Sequence, residues 1–170
     1  MKQNEIKQYL EELNAELSYQ NVKGEICLYG GAVMTLVYNA RPSTKDVDAV
    51  FEPASVIRGA AVKISKKNQL PEDWINDAVK GFVVPHDRHV FFDFSHLKVF
   101  IPEADYLLAM KALAARVDGT DKLDVKFLVK NMNIKSLQEV FAIIEKYYPK
   151  QRIKPATQFF LEELFENDFN

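Results

Sequence analysis

Apolar positions recur at helical spacing from the start of the chain: Ile6, Tyr9, Leu10, Leu13 and Leu17 mark one face of a helix over residues 3–18. Gly24 breaks that pattern, and Glu25-Ile-Cys-Leu-Tyr29 reads as a short, largely buried strand. Gly30-Gly31 opens a second helix, which runs to about Tyr38 and is closed by Asn39 and Pro42. Asp46-Val-Asp-Ala-Val-Phe51 reads as a second strand that ends at Pro53. Helix is predicted again near Pro53–Lys67 and around Glu72–Lys80, where Pro71 and Asp73 suit a helix start. His89–Phe94 and Leu97–Ile101 read as two strands, or as one strand and an irregular turn.

The character changes after Pro102. Residues 103–117, 121–132, 136–147 and 155–166 all carry helical patterns, separated by turn signals at Asp118-Gly119, Asn131–Asn133 and Pro149. The predicted class is therefore α/β in front and all-helical behind, an α+β protein with a small mixed sheet followed by a C-terminal helical bundle. The expected boundary separates a core over 1–101 from a helical region over 102–170 that packs on it. There is no internal repeat.

Composition narrows the function classes. The chain has 170 residues, 48% hydrophobic and 27% charged, which suits a folded globular domain, and its 12% aromatic content excludes intrinsic disorder. The 22 Lys and Arg against 24 Asp and Glu leave a net charge of −2, which excludes a wholesale basic coat for nucleic acid but not a local basic groove. The single cysteine, Cys27, excludes an internal disulfide framework and a cysteine zinc knuckle. No apolar run approaches membrane-spanning length and the first residues have no signal core, so the expected compartment is the cytoplasm, with no membrane partner.

The stretch richest in chemistry is Leu28-Tyr-Gly-Gly-Ala-Val-Met-Thr-Leu36 followed by Arg41-Pro-Ser-Thr-Lys-Asp-Val-Asp-Ala-Val-Phe51. A helix that begins at two glycines exposes backbone N–H groups that no side chain obstructs, a setting suited to a phosphate chain; two glycines also serve a tight strand-to-helix turn. Asp46 and Asp48 lie two apart on a predicted strand, so they share a face with Cα atoms roughly 7 Å apart. At an effective dielectric of about 20 they repel by roughly 2 kcal/mol. Such a pair is tolerated on a wet edge, or where it holds a cation; oxygen-only ligands favour Mg²⁺.

Gly30-Gly31, the intervening helix and Asp46-Val-Asp48 resemble the signature of the nucleotidyltransferase superfamily related to DNA polymerase β. The run Arg41-Pro-Ser-Thr-Lys-Asp-Val-Asp48 resembles the bacterial AbiEii-type branch, which includes toxins of toxin–antitoxin pairs. A second block, Tyr106-Leu-Leu-Ala-Met-Lys-Ala-Leu-Ala-Ala-Arg116 then Asp121-Lys-Leu-Asp-Val125, is similar to the same branch. So is the tail, with Tyr147-Tyr-Pro149 and Leu161-Glu-Glu-Leu164; the likeness spans about 25–165. It implies a nucleoside triphosphate as substrate, Mg²⁺ or Mn²⁺ on Asp46 and Asp48, and phosphate contacts from Gly30, Gly31, Thr44, Lys111 and Arg116. It further implies transfer of a nucleoside monophosphate to an RNA 3′ end or a protein hydroxyl, and an antitoxin-like protein partner. A catalytically silent binding module is the alternative.

Members of the superfamily often carry a third carboxylate on a later strand. Asp93, in Phe91-Phe-Asp-Phe94, is the strand-borne candidate here, where flanking aromatics would raise its pKa toward that of a base. Asp121 and Asp124, spaced i and i+3 on one helix face, are the other candidates; the same spacing serves a helix N-terminus. A cleft between the two halves is expected to gather Asp46, Asp48 and Lys111. Weaker patterns are His86-Asp-Arg-His89 as a metal site, Ser95 and His96 with Asp93 as a triad, and Cys27 as a nucleophile. Lys122, Lys126 and Lys130 share one helix face that suits either a basic groove or a solvated stripe. Trp74 is expected to anchor a helix in the core, and Met110, Phe127, Leu128 and Met132 to pack helices.

Overall fold

The computed structural model describes residues 1–115 and 119–168. Contacts group them into two units: Met1–Val83 with Asp87–Pro102, and Val84–His86 with the chain from Glu103 onward. The fold is α+β, with a five-stranded mixed sheet in the first unit and four helices in the second.

In the first unit the strands are β1 (Gly24–Leu28), β2 (Val47–Glu52), β3 (Ile75–Asn76), β4 (Arg88–Asp93) and β5 (Leu97–Pro102), in the order β3-β2-β1-β5-β4. β1 runs antiparallel to β2 and parallel to β5, while β4 and β5 form an antiparallel pair. Strand alternation divides the side chains. Ile26, Leu28, Val47, Ala49, Leu97, Val99 and Ile101 are buried on one face, whereas Asp48, Val50, Lys98 and Phe100 on the other are only half-buried. The helices α1 (Gln3–Tyr19), α2 (Gly30–Leu36) and α3 (Ala54–Asn68) complete this unit. α1 buries Ile6, Tyr9, Leu10, Leu13 and Leu17, the stripe its sequence predicts.

The helix expected around Glu72–Lys80 does not form. Trp74 is 1% exposed, its indole N–H donates to the Ala61 carbonyl at 3.1 Å, and its ring edge meets Tyr9. The Trp74 carbonyl then accepts from Val47 N–H, which aligns Ile75 and Asn76 with Val47 and Asp48 as the parallel strand β3. Asn76 Oδ1 takes the Ala78 N–H, so only a short 3₁₀ turn, Ala78–Gly81, follows. Burial of one indole outweighs a weak helical pattern. Trp74 is a core anchor as expected, but on no helix.

Gly59 lies inside α3 with nothing within 4 Å of where a Cβ would stand. Gly59→Ala is expected to raise stability by about 0.5–1 kcal/mol in urea unfolding, the usual gain at an open helix-interior glycine.

The second unit contains α4 (Ala104–Ala114), α5 (Asp121–Asn131), α6 (Leu137–Tyr147) and α7 (Pro155–Asp168). Its core holds Tyr106, Leu107, Leu108, Val125, Leu128, Val129, Val140, Ile144 and Leu161. Of the expected packing residues, Leu128 is buried, while Met110, Phe127 and Met132 are half-buried. Ser136 caps α6 by accepting from Glu139 N–H, and Glu139 Oε1 accepts from the Ser136 hydroxyl and Lys135 N–H. Val84–His86 belong to this unit, so a single boundary at 101 does not describe them. Val84 N–H donates to the Tyr106 hydroxyl at 3.0 Å, and the His86 ring stacks on Tyr106 at 3.8 Å. Among the described residues, no helix is long and apolar enough to cross a membrane.

Asp105 joins α4 to α6, because its Oδ2 accepts from Lys146 Nζ and from the Tyr147 hydroxyl, both at 2.8 Å. Partial burial works to raise its pKa, but these bonds and the Tyr106 N–H together hold it below the ordinary 3.8. A lowered carboxylate contributes stability above its unfolded value and loses it as pH falls through the folded one. Acid unfolding below about pH 4 should therefore include a component that Asp105→Asn removes. A melting-temperature profile between neutral and acid pH checks this: the difference between wild type and variant should shrink as pH falls.

Candidate functional site

β1 leads straight into the two glycines. Tyr29 is still extended, and its N–H donates to the Asp48 carbonyl at 2.8 Å, which carries the β1–β2 ladder one rung beyond Leu28↔Ala49. Gly30 then takes φ +60°, a left-handed conformation that turns the chain into α2. The turn brings the backbone against β2: a Cβ on Gly30 would stand 2.6 Å from Asp48 Oδ2. Any residue with a Cβ here would push that carboxylate aside.

Gly31 is enclosed in the same way by the loop that returns to β2. A Cβ there would stand 2.5 Å from Thr44 Oγ1 and 3.0 Å from Arg41 Nη1. Asn39, with φ +50°, reverses the chain after α2, and Ala40 N–H donates to the Met34 carbonyl. Thr44 is buried, and its hydroxyl donates to the Asp46 carbonyl at 3.1 Å. Its N–H donates to the Met1 carbonyl, while the Met1 ammonium donates to the Thr44 carbonyl. Asp46 sits one residue before β2, and both Asp46 and Asp48 are half-buried, in contrast to Val47 and Ala49 in the core. Gly30, Gly31, Thr44 and Asp48 are thus brought together, with Arg41 beside them and Asp46 at the same strand start. Arg41 is not among the site residues the sequence predicts; its place in the run before Asp46 is the signal that points to it.

Register separates Asp93 from this group. Asp93 pairs with Lys98, Lys98 with Glu25, and Glu25 with Glu52. Asp48 lies on the rung of Tyr29, four residues further along β1, so about 13 Å separates the rungs along the strands, and three strand spacings add about 14 Å across. Asp93 is instead near Lys98, 3.7 Å away. On β5 the residues that share the face and reach the level of Asp48 are Phe100 and, continuing the register, Pro102. The sheet therefore offers Asp48 no further carboxylate from β5.

The second predicted block forms its own cluster. Lys111 Nζ lies 2.7 Å from Asp121 Oδ1 and 2.9 Å from Asp124 Oδ2. Lys111 is 7% exposed and Asp124 1%. These two acids converge on a lysine, and Thr120 at the start of α5 makes no side-chain cap. The signal in the sequence is a lysine within the apolar run Leu107–Leu113, which requires a counterion once buried. Arg116 lies outside the described residues.

The weaker patterns do not assemble. His86 and His89 belong to different units, with His86 Nδ1 2.7 Å from the Val84 carbonyl. Among the described residues there is no group of three or more His, Cys, Asp or Glu placed to hold a metal. Cys27 is buried, and burial pushes its thiol above the ordinary 9.0, which suits a small hydrophobe better than a nucleophile. Asn14 Oδ1 accepts from His96 N–H at 2.8 Å, which fixes that oxygen as an acceptor; the Ser95 hydroxyl, 3.4 Å away, therefore donates to it. His96 Nδ1, 3.1 Å from Ser95 Oγ, must then donate to serine rather than take its proton, the reverse of an activated nucleophile. These residues border an open cavity of about 420 Å³ with Lys23 and Glu52, at the far end of the sheet from Gly30. Lys122 Nζ lies 4.9 Å above the Phe160 ring, so the α5 lysine row is not a uniformly solvated stripe.

At this corner the Asp48 carboxylate approaches Gly30, and Asp46 stands two residues earlier, just before β2. Two aspartates supply oxygen ligands only, too few for a cation held by protein alone, whereas Mg²⁺ characteristically combines one or two carboxylates with phosphates and water. Comparison with family models, curated proteins and solved structures returns no match for this chain.

Proposed function

We propose that this chain binds a magnesium nucleoside triphosphate at Gly30, Gly31, Thr44, Asp46 and Asp48, and transfers its nucleoside monophosphate to an RNA end or a protein hydroxyl. The observation that carries the reading is the contact of the Asp48 carboxylate with a left-handed Gly30, which keeps a carboxylate and bare backbone side by side. The resemblance of this corner to the DNA polymerase β-related nucleotidyltransferases supports the same assignment. Asp46 and Asp48 hold Mg²⁺ or Mn²⁺, and the glycine backbone leaves room for phosphate oxygens. When bound, the metal neutralises charge that develops on the phosphates.

The reaction forms a bond from the acceptor oxygen to the α-phosphorus and breaks the bond from that phosphorus to the bridging oxygen; pyrophosphate leaves and the acceptor proton passes to a base. The absence of an acid on β5 beside Asp48 favours a second reading, in which the chain binds nucleotide or an antitoxin-like protein without transfer. The two are separated by incubating the protein with α-labelled and γ-labelled NTPs, Mg²⁺, and total RNA or protein as acceptor. Transfer moves the α label into macromolecule and releases the γ label as pyrophosphate. Nucleotide binding with neither event supports the silent module, and absence of binding overturns both nucleotide readings.

A further inference from the structure

β4 ends the sheet, pairing with β5 on one side, and among the described residues no strand pairs with its other side. Most edge strands are short, covered or heavily charged, because open backbone groups template pairing with another chain. β4 instead carries Val90-Phe-Phe92 at its centre, with Val90 45% exposed and both phenylalanines half-buried. Its charges stand only at the ends. Arg88 is 43% exposed and touches Glu25 at 3.0 Å; Asp93 is 65% exposed.

The six residues Arg88-His-Val-Phe-Phe-Asp93 are complementary to themselves when reversed. We infer that β4 is a homodimer edge, pairing antiparallel with β4 of a second copy about a two-fold axis between Val90 and Phe91. In that register each Arg88 stands opposite Asp93 of the other copy, at both ends of the ribbon. His89 faces Phe92, so imidazole and aromatic side chains meet across the strands, while at the axis the bulge places Phe91 on the face of Phe92, with ring centres 4.6 Å apart, and Val90 on the opposite face. The interface is isologous and closes at two chains. A bulge between Val90 and Phe92 makes Phe91 the extra residue against β5. Bulges interrupt edge pairing, and this one lies on the axis, which confines the interruption to the centre and leaves the charged ends to pair. Six residues a side form a small interface, so association belongs in the range of about 1–100 µM.

The test exploits the charge register. Sedimentation velocity from about 1 µM to about 100 µM should show wild type passing from monomer to dimer. Arg88→Glu sets two carboxylates face to face at each end of the ribbon, and Asp93→Arg sets two guanidinium groups face to face there. Each variant alone should therefore remain monomeric. Mixed in equal amounts, the two variants pair opposite charges at both ends and should restore the dimer. Melting curves verify that each variant folds; Val90→Lys, at an exposed position, replaces any that does not and should also be monomeric. A monomeric wild type throughout, persistent dimers in both single variants, or a folded mixture that stays monomeric would each overturn the assignment.

Discussion

Replacing Lys111 by methionine is expected to lower stability by about 3–5 kcal/mol, the usual cost of leaving a buried charge without its partner. The lysine sits on the apolar helix α4 beside buried Leu107, Leu108 and Ala112, and its ammonium lies between two carboxylates. Without it, Asp121 can turn toward water because its side chain is 27% exposed, but Asp124, at 2%, cannot. The size of the loss therefore rests on Asp124. Lys111→Met/Asp124→Leu should recover most of it, since a well-packed apolar pair commonly matches a buried ion pair. Asp121→Asn alone should cost about 1 kcal/mol or less, as for partly exposed pairs. Urea unfolding of the four proteins checks the set, and a Lys111→Met loss below about 1 kcal/mol would remove the buried triad from the account.

Gly30→Ala is expected to act twice. The left-handed φ of +60° costs an alanine about 1–2 kcal/mol, and the new methyl group, 2.6 Å from Asp48 Oδ2, displaces that half-buried carboxylate at little further cost in stability. The carboxylate is the side that moves, because the glycine is fixed between β1 and α2. Loss of stability and loss of Mg·NTP binding should thus come together. Gly24→Ala is the informative contrast: its Cβ meets Leu17 at 3.0 Å and Ile57 at 3.2 Å, far along β1 from Asp48. That substitution should weaken folding while leaving nucleotide affinity unchanged among the folded molecules, as measured by calorimetric titration.

Much of this fold is written locally. The α1 stripe, the β1–Gly-Gly–α2 corner, the β4–β5 pair and the helices after Pro102 each declare themselves in a few neighbouring residues, and their ends shift by only a residue or two, except that the helix expected over 103–117 ends at Ala114, with residues 116 and 117 outside the described ones. The segment around Trp74 does not, because its conformation is decided by the Ala61 carbonyl and by Val47, residues distant in the chain. The same divide runs through the candidate site. That Gly30, Gly31 and Asp48 meet is legible from the motif and strand alternation. That Asp93 lies at the other end of the sheet is not, because composition carries no register: the rung is set by β5 lying parallel to β1. The sequence marks Lys111 as a candidate cation, and the structure surrounds it with Asp121 and Asp124, whose convergence requires the packing of α4 against α5.

The most direct test is thermal unfolding with each of four nucleoside triphosphates, with and without Mg²⁺, in wild type and in Asp46→Asn/Asp48→Asn. Ligand at about 100 times its dissociation constant adds about 2.7 kcal/mol, a rise of several degrees for a chain of this size. On this account Mg²⁺ alone is also expected to stabilise wild type by relieving carboxylate repulsion, so the increment specific to nucleotide is the quantity that decides. The nucleotide-site account predicts that increment in wild type with Mg²⁺ and none in the double variant. Equal shifts in both proteins, or no shift with any nucleotide at millimolar concentration, would contradict it.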